Sequence, residues 1–73
     1  MSFQAYINNV EKATGKSIAE LTEIALSKGF VGDDGVLLPS VKAAEIVSWL
    51  KDEFDLGHGH AMSVVAYFKG KRE

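Results

Sequence analysis

Apolar residues return at helical spacing in four separate stretches of the chain. In the first, Phe3, Ile7 and Val10 stand at i, i+4 and i+7 with Tyr6 beside them, while Gln4, Asn8 and Glu11 lie opposite. This predicts an amphipathic helix over about 2–14, capped by Ser2 and stopped by Gly15. In the second, Ser17-Ile18-Ala19-Glu20 is a capping box, and Ile18, Leu21 and Ala25 share a face flanked by Ile24. The predicted helix runs over about 17–28, with Lys28 in its last turn and Gly29 closing it. In the third, Pro39-Ser40 precedes Ala43, Val47, Leu50 and Phe54, a stripe widened by Ile46 and edged by Trp49. With Ser40 as cap, this predicts a helix over about 40–55. In the fourth, Ala61, Val65 and Phe68 point inward with Met62 and Val64 alongside, predicting a helix over about 59–69.

Between the second and third helices, Gly32-Asp33-Asp34-Gly35 has the residue types of a tight turn, flanked by Phe30-Val31 and Val36-Leu37-Leu38. Two strands this short are marginal alone, so a packed loop is expected in preference to a hairpin. The fold class is therefore all-α: a single small domain spanning 1–73, with four short helices, the third and fourth forming a hairpin around the Gly57-His58-Gly59-His60 turn. That hairpin holds the only tryptophan and both histidines.

Composition narrows the setting. Hydrophobic residues make up 47% of the 73, which argues against disorder. A core of this size supplies roughly 3–5 kcal/mol, and with no cysteine neither a disulfide nor a thiolate zinc site is there to add to it. No apolar run reaches the roughly 20 residues of a membrane span. MSFQAYINN lacks the basic start and apolar centre of a signal peptide, so a cytoplasmic location is expected. The net charge of -2 disfavours a general nucleic-acid binder.

Candidate chemistry is sparse. Thr14-Gly15-Lys16-Ser17 ends like a P-loop, but Val10 stands where the first glycine belongs and a helix, not a strand, precedes it. Gly15 as a helix stop and Ser17 as a cap explain these residues. Asp33-Asp34 lacks the alternating oxygen ligands and closing glutamate of a calcium loop. His58 and His60 could grip a metal from an extended segment, yet within a helix i and i+2 diverge, and only Asp52 or Asp55 is near in sequence as a further ligand. Leu56-Gly57-His58-Gly59 resembles the turn of a helix-hairpin-helix, whose amides approach a phosphate. Against this, Lys69 lies roughly 15 Å along the helix from Gly59, and Asp52, Glu53 and Asp55 crowd the turn with negative charge. No serine can be matched to a histidine and an acid by spacing, so no catalytic residue is assigned and no enzyme is expected. Phe30 and Trp49 are assigned to the core, and Tyr67 to its boundary.

MSFQAYINNVEKATGKS followed by VKAAEIVSWLKDEFDLGHGHAMSVVAYFKG resembles a family of short bacterial proteins classed as a domain of unknown function. The family pattern has an MSFQAY-like helix, a TGK turn, a VKAGEIV-like start to a helix with a WL pair, and GLGHGHAM. The resemblance implies a cytoplasmic bacterial protein and carries no activity, cofactor or catalytic residue. This chain has Ser40 and Ala44 where glycine is expected, and Asp55 where glycine is common. The function expected is a non-catalytic interaction module for a protein partner or a second copy, with no cofactor. The alternative is binding of a phosphate, a nucleic-acid backbone or a metal at Gly57, His58, Gly59 and His60, nucleic acid being the less favoured ligand.

Overall fold

The computed structural model describes residues 3–71. Four helices follow one another: α1 (Phe3–Thr14), α2 (Ile18–Lys28), α3 (Ala43–Phe54) and α4 (His58–Phe68). The fold class is all-α, as the periodicity implies. The expected cap at Ser2 lies outside the described residues.

α4 is the hub. Ala61, Val64, Val65 and Phe68 are all buried, and α4 packs against both α3 and α1. From α1 come Ile7 and Val10, and from α2 come Leu21 and Ala25. Val31 and Leu56 join this core from the connections. Met62, expected alongside the buried face, is instead 40% exposed, because α1 and α3 cover α4 along 61, 64, 65 and 68 and leave that flank open.

The corner between α1 and α2 is fixed by side chains reaching backbone. Gly15 takes a positive φ of 71° and ends α1, and the Thr14 hydroxyl donates to the Val10 carbonyl at 2.8 Å. Ser17 caps α2: its hydroxyl accepts from the Glu20 amide at 3.1 Å, and Glu20 reaches back to the Ser17 amide at 3.3 Å. Glu11, placed by periodicity on the solvent side of α1, accepts from the Ile18 amide at 2.7 Å. Two carboxylates thus occupy the amide end of α2.

The segment between α2 and α3 is slightly more ordered than a packed loop. Val31 and Leu37 form one antiparallel bridge, flanked by Gly32 N–H to Val36 O at 3.0 Å and Leu38 N–H to Phe30 O at 3.1 Å. The Asp34 carboxylate accepts from the Val36 amide at 3.0 Å, which closes the turn. Leu37 N–H then donates to the Phe68 carbonyl at 2.9 Å, satisfying one orphan group at the end of α4.

α3 begins later than Ser40. Pro39 occupies the second position of a turn closed by Val41 N–H to Leu38 O at 3.0 Å, so Ser40 is spent in that turn. The cap position falls on Lys42, whose side chain has no acceptor. Glu45 compensates by accepting from the Lys42 amide at 2.8 Å. The buried arc of α3 is Ile46, Trp49 and Leu50, while Ala43, Val47 and Phe54 are half-buried beside it. Trp49 stands at the edge of this arc and is nevertheless only 6% exposed. The reason is the Phe30 ring, which covers that side at 5.6 Å between centroids, with Phe54 at 6.1 Å.

Candidate functional site

Three residues, Asp55, Leu56 and Gly57, carry the chain from α3 into α4. Asp55 is left-handed at φ 53°. Its amide donates to the Lys51 carbonyl at 3.0 Å, the single bond of an αL closure, and the Leu56 amide donates to the Leu50 carbonyl at 3.3 Å with the Leu56 side chain tucked into the core. A glycine is the usual occupant of such a position, since it has no Cβ to collide with the following carbonyl.

Gly57 caps α4, one residue earlier than the sequence predicts, so His58 and His60 both lie in the first helical turn. They part company there. His58 is exposed, whereas His60 is half-buried with its ring edge-on to Tyr6 at 6.0 Å and 61°. The first helical bond of α4 runs from Ala61 N–H to Gly57 O at 2.9 Å. The amides of His58, Gly59 and His60 have no acceptor among the described residues, and no acidic residue stands in this first turn. A Cβ built on Gly57 or Gly59 would meet nothing within 4 Å, so the approach to these amides is open. Of the four residues singled out from sequence, three therefore face solvent and one faces α1. Among the described residues no three His, Asp or Glu side chains gather where they could hold a metal ion.

The outward side of α4 continues from this turn. Gly59 and Met62 are exposed, and Ser63 and Ala66 half-buried. The Ser63 hydroxyl donates to the Gly59 carbonyl at 3.1 Å, so it is turned back onto its own helix. Tyr6, 38% exposed, borders the face through its contact with His60.

A separate cluster joins α2 to α3. Lys28 Nζ lies 3.1 Å from Glu53 Oε1 and 6.0 Å from the Trp49 ring centroid. Trp49 Nε1 is buried with no acceptor at hydrogen-bond distance among the described residues. Glu53 is held below the ordinary carboxylate range by the Lys28 ammonium first and by the nearby indole N–H second. Both charged groups are well exposed, so the pair contributes little to stability. Sequence periodicity gives no warning of this cluster, because Lys28 and Glu53 belong to different helices.

No helix among the described residues is long and apolar enough to cross a membrane. Neither curated proteins nor solved structures include a match to the chain. The family model described as Domain of unknown function (DUF4287) matches residues 2–70, and the chain belongs to that family.

Proposed function

We propose that this member of the family is a non-catalytic protein-interaction module that docks through the outward side of α4. The observation that carries the reading is the charge pattern. One residue in four is Asp, Glu, Lys or Arg across the chain (25%), yet none occurs from Leu56 to Phe68. A helix side turned to water normally bears charge. Interface centres are depleted of charge and enriched in methionine and aromatic residues, which matches exposed Met62 with Tyr6 at its border. A binding role is further supported by the geometry of this face: Ser63 is bonded to Gly59, His60 is set against Tyr6, and His58 stands in solvent, so among the described residues the Ser63 hydroxyl is bonded to neither imidazole. The bacterial cytoplasm is the setting we infer, supported by the cysteine-free sequence and the family pattern.

The test is photo-crosslinking in cells. A photoreactive amino acid is placed singly at Met62, at Ala66, and at Glu23 on the exposed side of α2. Discrete adducts are expected from the two α4 positions and not from Glu23. Adducts at all three, or at none, would remove α4 as a docking face.

A second reading is favoured by the three open amides: capture of a phosphate-type anion at Gly57–His60, aided by the positive end of the helix dipole. Titration of the nitrogen-labelled protein with inorganic phosphate, zinc and a short DNA duplex checks it. Saturable shifts confined to Gly57–Ala61 on adding phosphate support it, and a flat response at millimolar ligand removes it.

A further inference from the structure

The neutral run of α4 is bracketed by charges of opposite sign. Asp52 and Asp55 stand before it, both exposed, and Lys69, also exposed, stands after it. (Glu53 is engaged by Lys28, and Lys71 lies over the Phe3 ring.) Along the 11 residues of α4, about 16 Å, one end is net acidic, since Asp52 and Asp55 outnumber the exposed Lys51 beside them, and the other is basic. A surface of that kind is complementary to itself when turned end over end. A two-fold axis through Ser63, the middle residue of His58–Phe68, brings the acidic end of each copy to the basic end of the other, twice over. The helix dipoles then also oppose, which favours the pairing. Side-by-side parallel packing sets like charge against like at both ends. A partner of a single charge sign meets repulsion at one end. Gly59, Ser63 and Ala66, all small, let a second helix approach closely.

Resting on the docking face proposed above, we infer that its occupant is a second copy of this chain, packed α4 against α4 in antiparallel register. One short helix per copy buries well under the roughly 800 Å² per partner of a standard interface. The dimer is therefore weak, populated at high concentration, and loosened by salt because its ends are ionic.

The absence of cysteine makes the test clean, since each introduced thiol is the only one. Under mild oxidation, Ser63→Cys is expected to link to itself, because it lies on the axis. A mixture of Asp55→Cys and Lys69→Cys is expected to cross-link about tenfold faster than either alone. In sedimentation equilibrium, the average mass should climb from 7.9 kDa toward twice that value as concentration rises to about 1 mM, a range that reports weak association. Added salt and Lys69→Glu should each reverse the climb, with native fold checked by far-UV circular dichroism. Fast linking of Lys69→Cys to itself overturns the antiparallel register. A monomer at every concentration, with Ser63→Cys no faster than Lys69→Cys, overturns self-pairing. In that event an α4 adduct of different mass in cells leaves the docking face standing with another partner, whereas no adduct removes both.

Discussion

Replacing Asp55 should stabilise the domain, and the size of the effect can be worked out. Among the described residues Asp55 is the one non-glycine with positive φ, at 53°. An ordinary L-residue there loses about 1–2 kcal/mol to the clash of Cβ with the following carbonyl, while aspartate and asparagine lose less by bonding locally. The carboxylate also sits at the negative end of the α3 dipole, beside Asp52 and Glu53, which costs about 0.3–1 kcal/mol at an exposed site. Asp55→Gly relieves both and gives back about 0.5–1 kcal/mol as extra freedom in the unfolded chain. The net gain is about 0.5–1 kcal/mol. In a domain of this size each kcal/mol shifts Tm by about 4–8 °C, so the melt should rise by about 2–8 °C. The assay is far-UV circular dichroism at micromolar protein. Asp55→Asn isolates the charge, since the shape of the side chain persists. Asp55→Ala retains the Cβ without the short polar group that lets aspartate and asparagine visit this conformation more readily. Among these three uncharged variants stability should fall in the order Gly, Asn, Ala. An alanine variant as stable as the glycine variant would refute backbone strain as the controlling term.

Phe68→Ala removes a fully buried ring from the hub at a cost of about 3–5 kcal/mol, comparable to the whole stability of a domain this small; loss of the helical signal at 25 °C is the expected result. Ser17→Ala deletes the α2 cap, bonded to Glu20 N–H at 3.1 Å, and should cost about 1 kcal/mol in a urea titration, with no effect from Ser40→Ala. The Glu53 carboxyl has its pKa lowered in the folded state, so its stabilising contribution is present above the unfolded value of 4.5 and lost as pH falls through the folded one. Glu53→Gln should therefore flatten the stability–pH curve below that value, and Trp49 fluorescence in the wild type should change over the same range. An unchanged slope in the variant would show that Lys28 and Glu53 are not coupled in water.

The helices were legible because each carries its own local signal: periodic apolar positions, a capping box at Ser17, and stops at Gly15 and Gly29. What escaped the sequence is set by distant neighbours. The apolar arc of α3 fixes a helix with Trp49 at its edge, and only the arrival of Phe30 buries that edge. Ser40 looks like a cap until Pro39 draws it into a turn. Glu11 looks solvent-facing until the corner brings the Ile18 amide to it. At the candidate site, glycine and histidine identities mark the junction, but the divergence of His58 from His60 follows from α4 starting one residue early.

The placement of α4 also bears on how the protein is made. The helix against which α1 and α3 close is the last of the four to be synthesised. At about 5–20 residues per second, its 11 residues emerge in about 0.5–2 s. Until they do, Ile7, Val10, Ile46 and Leu50 have no shared surface to settle on. The nascent chain therefore carries uncovered apolar ridges until α4 is made, and gains its native packing only then. A message broken before the codon for Phe68 should yield a substrate for proteases in place of a shortened but working domain.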